Sequence, residues 1–321
     1  MNNIFNKKIV ILGRTGFLGT NLYFYFTKYT THFIFSCEKK NVNILKEKEL
    51  NEYIESIQPD IIINCCGVIG SSEMNKHIAE DEIFHNNIIL NMNILNCCKK
   101  YNIPSLITFS TYRLFGDDIN EKYNENDLHS HYNITNNVGY LLSKKVLDLQ
   151  IQVFKKNNSS TNIICFILPN IFGNYDTFIP NGRIVSALIS KIYSAKQGNI
   201  DLYLDTNSNN KVNLIYVEDV FNIINEYIHL NDDIIKNTKG NIIVFNKNGT
   251  VTLKQLAEYI KSHLQFNKEI IFSKNEKVND FIMNPDISLF ESIFKNYEFS
   301  DTEQRLKETS QHFYISKTGI S

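Results

Sequence analysis

Tyr140 and Lys144 stand four residues apart in the run Val138-Gly139-Tyr140-Leu141-Leu142-Ser143-Lys144. On a helix that spacing puts both side chains on one face. A phenol can give or take a proton at a carbonyl or hydroxyl oxygen, and a nearby ammonium favours its ionised form. Taken alone, the pair has a plain structural reading, a helix face along which one lysine lays its stem. Two other stretches give it weight. Ser110-Thr111 brings hydroxyls to the end of the apolar run Pro104 to Phe109, and Ile9-Val10-Ile11-Leu12 leads into three glycines three residues apart, Gly13, Gly16 and Gly19. An apolar strand that turns through such glycines into a helix makes a phosphate cradle. Gly13 allows the sharp turn, Gly16 the close approach of a pyrophosphate, and Gly19 the tight packing of a helix whose first N–H groups are free. Arg14, Thr15, Phe17 and Leu18 complete the loop. The expected ligand is a dinucleotide.

The 321 residues suffice for one large α/β domain with a smaller lobe attached. Apolar runs at Ile9–Leu12, His32–Ser36, Ile61–Cys66, Pro104–Phe109 and Asn162–Leu168 alternate with amphipathic segments at about Phe17–Phe26, Leu50–Ile57, Ile83–Tyr101 and the helix of Tyr140. Ile89, Met92, Ile94 and Leu95 mark the apolar face of the long third helix. Val138, Leu141, Leu142, Val146 and Leu149 mark that of the fourth, which Asn136 or Asn137 can cap. This alternation predicts a doubly wound parallel sheet of Rossmann type with a smaller C-terminal substrate-binding lobe. Residues 1–168 read as the dinucleotide-binding domain, completed by about 212–246. There Val212–Tyr216 and the helix from Glu218 return towards the sheet, and Ile242–Phe245 is its last strand. Residues 169–211 and 247–321 read as the lobe.

A net charge of -1 offers no basic stripe for nucleic acid. No stretch has the apolar length of a membrane span, and the start MNNIFNKK lacks an apolar signal core, so a cytoplasmic protein is expected. The six cysteines, Cys37, Cys65, Cys66, Cys97, Cys98 and Cys165, show no CxxC spacing and read as buried reduced thiols, with no metal expected. The second strand ends at Cys37-Glu38-Lys39-Lys40, where such a fold meets the adenosine ribose. An acidic residue there favours a free 2′-hydroxyl and a basic one a 2′-phosphate. Lys39, Lys40 and Arg14 favour NADP(H), with NAD(H) as the alternative because of Glu38; a solvated surface is the plain reading of the lysines. Gly67-Val68-Ile69-Gly70 follows the third strand at the end where such sheets bind ligands.

Together these features resemble the extended short-chain dehydrogenase/reductase superfamily of the nucleotide-sugar epimerase/dehydratase type. The likeness rests on the glycine loop, Asp60-Ile-Ile-Ile-Asn64, Ser110-Thr111 before Phe115-Gly116, Tyr140-x-x-x-Lys144, Pro169-Asn170-Ile-Phe-Gly173 and Ile215-Tyr216-Val217-Glu218-Asp219, which span nearly the whole chain. It implies that Tyr140 is the acid/base at a substrate oxygen while hydride moves at the same carbon. Lys144 would hold the nicotinamide ribose, and Thr111 would bond the same substrate oxygen. It also implies cofactor contacts from Asn43, Ile44, Cys66, Gly67, Asn87, Pro169 and Ile171, and substrate contacts from Val68, Tyr112, Arg113, Asn170, Arg183, Lys191 and Lys211.

Within the superfamily the chain is most similar to the GDP-L-fucose synthase branch. Cys66 to Gly70 before a helix with Asn87 and Asn91, and Asn170 to Phe178 leading into Arg183 to Lys191 and Ala195-Lys196, carry that likeness. That branch epimerises two carbons with a cysteine and a histidine before reducing the ketone. Arg113 and Arg183 occupy those two positions here, and an arginine stays protonated. They would bind sugar hydroxyls or a diphosphate, or form surface ion pairs. Val212, beside Lys211, replaces an arginine of the branch.

The resemblance implies an NADPH-dependent C4-ketoreductase of a nucleotide-activated 4-keto sugar, GDP-linked 6-deoxy-hexose or heptose favoured, without C3/C5 epimerisation. Such an enzyme would serve bacterial surface (capsule) polysaccharide synthesis as a cytoplasmic homodimer. The alternative is an epimerase or epimerase-reductase with bound NAD(P). Tyr112 and Arg113 after Thr111, where a dehydratase places Asp and Glu, speak against dehydration, and an intact Thr111, Tyr140 and Lys144 against a non-catalytic regulator of the same fold.

Overall fold

A computed structural model describes residues 6–69, 79–116, 122–130, 137–157, 160–230, 234, 240–273 and 284–319. The chain runs through β1 (Lys8–Leu12), α1 (Phe17–Tyr29), β2 (Phe33–Ser36), α2 (Glu47–Ile57), β3 (Ile61–Asn64), α3 (Glu80–Lys100), β4 (Ser105–Thr111), α4 (Val138–Asn157) and β5 (Asn162–Leu168). There follow β6 (Asn170–Phe172), α5 (Ile184–Gly198), β7 (Leu202–Leu204), β8 (Lys211–Tyr216), α6 (Val217–Ile228), β9 (Asn241–Ile243), β10 (Thr250–Thr252) and β11 (Ile270–Phe272), with further helices at Leu253–His263, Ser288–Ile293 and Thr302–Thr318.

The continuous apolar run of β1 suits a parallel strand covered on both faces, and Ile9, Val10, Ile11 and Leu12 are wholly buried. Successive side chains feed opposite layers. Ile9 and Ile11 pack with Leu22 and Phe26 of α1 and Phe221 and Ile224 of α6. Val10 and Leu12 pack with Leu50 of α2, Ile94 of α3 and Leu147 of α4. The large sheet is parallel in the order β2-β1-β3-β4-β5-β9. Its winding reverses between β1 and β3, and the C-terminal ends of those strands therefore open the crevice in which such sheets bind ligands.

The segment 212–216 departs from the sequence expectation. As part of β8 it pairs with β6 in parallel and with β10 antiparallel in a separate three-stranded sheet, not with the large one. Ile215 of this segment and the following α6 nevertheless pack into the core against the large sheet. The second core joins Phe172 and Leu214 of this sheet to Val185 and Ile189 of α5 and to Leu256 and Phe313 of the later helices.

Two details of α3 and α4 also differ. Ile89 and Met92, expected inside, are exposed, as are Val138 and Leu149, whereas the polar Asn87 and Asn91 are buried. The first turn of α4 receives its cap from a distant residue. The Gly139 N–H donates to Glu80 Oε2 at 2.6 Å, and Asn137 is in the left-handed region with φ +53°; Asn136 lies outside the described residues. All six cysteines are free, with Cys65 and Cys66 half-buried and the rest buried. Among the described residues no helix is long and apolar enough to cross a membrane.

Candidate active site

The chain leaves β1 at Gly13, whose φ of +81° suits glycine. A Cβ there would stand 2.8 Å from the Cys65 carbonyl carbon and 2.9 Å from the Cys66 nitrogen, and one on Gly19 would stand 2.2 Å from the Gly13 oxygen. Larger residues would push the loop off the ends of β1 and β3. The Gly16 N–H donates to the Gly13 carbonyl at 3.0 Å, and the Thr20 hydroxyl donates to the Arg14 carbonyl at 2.7 Å. Gly16 caps α1 without a side-chain acceptor, and the first turn holds no acidic residue. Its free N–H groups and the positive end of the helix dipole thus suit an anionic ligand. On the facing loop Gly67 is open, with nothing nearer than 3.9 Å to an added Cβ. The diphosphate of a dinucleotide fits this cradle.

At the far end of the loop Glu38 bridges two cations, Arg14 Nη1 at 3.2 Å and Lys40 Nζ at 2.9 Å. The ion pair and hydrogen bond with Lys40, then the charge of Arg14, hold the Glu38 carboxyl below its ordinary range. Arg14 also lies 4.4 Å over the Tyr23 ring. Asn43 and Ile44 belong to the turn before α2. The Asn43 N–H donates to Glu49 at 2.8 Å, and the Ile44 carbonyl accepts from Asn93 at 2.9 Å.

Beyond the cradle, the ends of β1, β3, β4 and β5 enclose a cavity of about 280 Å³. Of the residues proposed from the sequence for the site, Gly16, Phe17, Leu18, Cys66, Gly67, Thr111, Tyr140, Lys144, Pro169, Asn170, Ile171 and Arg183 line it. Larger clefts of about 730 Å³ beside His129 and about 560 Å³ along α1 contain neither Tyr140 nor Lys144. Chemistry, not size, singles out the smaller one.

Lys144 is buried, its ammonium 5.8 Å from the centre of the Tyr140 ring and donating to the Phe109 carbonyl at 2.8 Å. Glu80 anchors the turn that carries Tyr140, and Gly139 has no room for a Cβ, which would stand 2.1 Å from the Glu80 carbonyl oxygen. Asn87 ties α4 to the loop after β3: its Oδ1 accepts from the Val68 N–H at 2.8 Å, and its Nδ2 donates to the Val68 carbonyl at 3.0 Å and to Ser143 Oγ at 3.1 Å. Ser143 in turn donates to the Tyr140 carbonyl at 2.6 Å. Asn87 therefore sets the distance between loop and helix. Thr111 ends β4 opposite Leu168, and its hydroxyl accepts from the Arg113 N–H at 3.4 Å. Asn170 Nδ2 donates to the Tyr112 hydroxyl at 3.2 Å and to the Asn213 carbonyl at 3.1 Å.

Arg183 Nη1 meets Asp176 Oδ1 at 2.5 Å, and its guanidinium lies 4.7 Å over Phe17. Among the described residues the Arg113 guanidinium has no ion pair. Lys39, Lys191 and Lys211 do not line the cavity. Neither does His129, which with His131 lies in the stretch just before Tyr140: its Nε2 is 2.7 Å from Asp148 in the larger cleft. His131 lies outside the described residues. Burial pushes the Cys66 thiol up to about 12 and that of Cys65 well above its usual range, so neither is a base near neutrality. Asn64, Cys65, Ile69, Phe109, Ser110 and Leu168 also line the cavity, although no cofactor or substrate contact was expected of them. Their position at strand ends was the available signal. Ser110 Oγ is buried without a partner among the described residues, a polar group left for a ligand.

The model of the NAD dependent epimerase/dehydratase family matches residues 9–242. A GDP-L-fucose synthase of Dictyostelium discoideum is 22% identical over 275 residues, 84% of this chain and 83% of that protein. A GDP-L-fucose synthetase of Naegleria fowleri has the same fold, with a TM-score of 0.86 at 20% identity over 97% of this chain and 95% of that one. A GDP-6-OMe-4-keto-L-xylo-heptose reductase of C. jejuni superposes with a TM-score of 0.84 at 14% identity, over 98% and 99% of the two chains. With its glycine cradle and its Thr-Tyr-Lys set around one cavity, this chain belongs to the NAD dependent epimerase/dehydratase family and is an NAD(P)-dependent oxidoreductase.

Proposed function

We propose that the protein is an NADPH-dependent C4-ketoreductase of a GDP-linked 4-keto sugar, a 6-deoxy-hexose or a heptose, and that it leaves the neighbouring stereocentres untouched. One observation carries this reading: Thr111, Tyr140 and Lys144 share a cavity in which, beyond this set, no pair of described lining side chains can shuttle protons. Arg113 and Arg183 stand where a thiol and an imidazole would be needed, His129 is tied to Asp148 elsewhere, and Cys65 and Cys66 are protonated.

When bound, the nicotinamide supplies the hydride. Tyr140 gives its phenolic proton to the ketone oxygen as the C4–H bond forms, so the ketone becomes an alcohol and the tyrosinate is reprotonated from solvent. The Thr111 hydroxyl donates to the same oxygen. Lys144, which here donates to the Phe109 carbonyl, would hold the ribose hydroxyls of the cofactor and steady the tyrosinate. NADPH over NADH is supported by the two cations on Glu38 and by the Naegleria relative having been solved bound to NADP. GDP as the nucleotide is supported by the names of the relatives. A role in surface polysaccharide synthesis follows from such a product. A homodimer through α3 and α4 would cover Ile89, Met92, Leu149 and Val153, apolar side chains that the chain leaves in water.

The test is NADPH oxidation with GDP-, UDP- and dTDP-linked 4-keto-6-deoxy sugars. Turnover is expected with the GDP sugar and at least tenfold less with the others; no turnover with any 4-keto sugar would overturn the proposal.

A further inference from the structure

The loop between β6 and α5 is built around a carboxylate that the reaction does not use. Asn21, buried on α1, donates from Nδ2 to the Asn174 carbonyl at 2.8 Å. Tyr175 then takes a left-handed φ of +59°, with its ring against Phe24 at 5.7 Å and His312 at 5.1 Å. A side chain other than glycine at that φ needs outside support, and these contacts supply it. The turn rolls Asp176 inward until its side chain is 2% exposed. Asp176 Oδ1 accepts from the Thr177 N–H at 2.7 Å and from Arg183 Nη1 at 2.5 Å. The guanidinium of Arg183 is thereby held 4.7 Å over the ring of Phe17, the first residue of α1. Among the described residues nothing takes its Nε or Nη2, and it faces the cavity beside Gly16, Phe17 and Leu18.

We infer that Asp176 is a positioning residue that fixes Arg183 as part of the cofactor's diphosphate site. This rests on the dinucleotide reading of the glycine loop and not on the identity of the sugar. Two independent features converge on one place. The first turn of α1 offers uncapped N–H groups and no acidic residue. Across it lies a guanidinium with donors to spare, the planar fork that suits phosphate oxygens. An arginine free in solvent would have to give up its rotamer freedom on binding, whereas the buried carboxylate has fixed it beforehand. The residue that cannot serve as a proton shuttle thus serves as an anion clamp.

The experiment is equilibrium binding to the intact protein, with NADPH followed by fluorescence and 2′-AMP, which lacks the diphosphate, followed by calorimetry. Arg183→Gln is expected to weaken NADPH tenfold or more and to leave 2′-AMP within twofold, and Arg183→Lys to recover part of the loss. Asp176→Asn is expected to weaken NADPH severalfold, and to add nothing in the Arg183→Gln background. NADPH affinity within twofold of wild type in Arg183→Gln would overturn the inference, and so would equal losses for NADPH and 2′-AMP. Additive effects of the two substitutions would show that Asp176 does not act through Arg183. An effect of Arg183→Gln on the sugar's KM alone would overturn the inference while leaving the ketoreductase proposal standing.

Discussion

Lys144→Met keeps a side chain of similar length and removes a charge at the centre of the site. The ammonium lies 5.8 Å from the centre of the Tyr140 ring, in a residue 8% exposed. At an effective dielectric of about 20, a unit charge at that distance stabilises a developing tyrosinate by about 3 kcal/mol, roughly two orders of magnitude in turnover. The same ammonium donates to the Phe109 carbonyl at 2.8 Å. Leaving that buried carbonyl without its donor costs about 1–3 kcal/mol of folding stability, offset in part because a charge no longer has to be buried. Two assays separate the effects, NADPH oxidation at saturating keto sugar for turnover and urea unfolding for stability. A folded variant with turnover about a hundredfold lower is expected. If the folded variant kept more than a tenth of wild-type turnover, the electrostatic role of Lys144 would be refuted.

Three further outcomes are expected. Tyr140→Phe should lower turnover by about two to four orders of magnitude, the usual share of general acid catalysis, with NADPH affinity within a few-fold of wild type by fluorescence titration; turnover above a tenth of wild type would remove Tyr140 from its role. Arg14→Ala combined with Lys40→Ala frees Glu38 to accept a ribose 2′-hydroxyl, so the ratio of kcat/KM for NADPH over NADH should fall at least tenfold; an unchanged ratio would put the 2′-phosphate elsewhere. His32 is buried against His229 with the rings 5.5 Å apart, and burial first, then the charges of His229 and Lys7, lower its pKa from the ordinary 6.5. Below pH 6.5 the unfolded chain therefore takes up a proton that the folded one resists, and stability is lost as pH falls, by at most about 1.4 kcal/mol per unit from this group. Urea midpoints between pH 7.5 and 5.5 should fall less in His32→Gln than in wild type, and equal slopes would count against the assignment.

The parts of the site that rest on local spacing were legible in the sequence. The turn at Gly13, the shared face of Tyr140 and Lys144, and Thr111 at a strand end follow from period and backbone geometry. What was not legible depends on residues distant in the chain. Glu80 caps the helix of Tyr140 across 59 positions, and no periodic pattern links them. Asp176 is short-range to Arg183, but its burial depends on Asn21 and Phe24 of α1. The inner face of α3 was misread because its buried side holds Asn87 and Asn91, each with a hydrogen-bond partner, while Ile89 and Met92 face out. An apolar pattern reports that a face is covered, not by what. The segment 212–216 reads as a sheet strand in either sheet, and only its partners in β6 and β10 decide between them.

The central claim is reduction without epimerisation, and hydrogen exchange at the carbons beside the ketone tests it most directly. Epimerisation needs one group to remove a proton α to the carbonyl and another to return one, both changing protonation state near neutrality, which the guanidiniums of Arg113 and Arg183 cannot do. With a GDP-linked 4-keto-6-deoxy sugar and NADPH in D₂O, NMR of the product should show a reduced C4 and no deuterium at C3 or C5 beyond the enzyme-free control. Enzyme-dependent deuterium at either carbon would reveal a catalytic base among or beyond these residues and make the protein an epimerase-reductase.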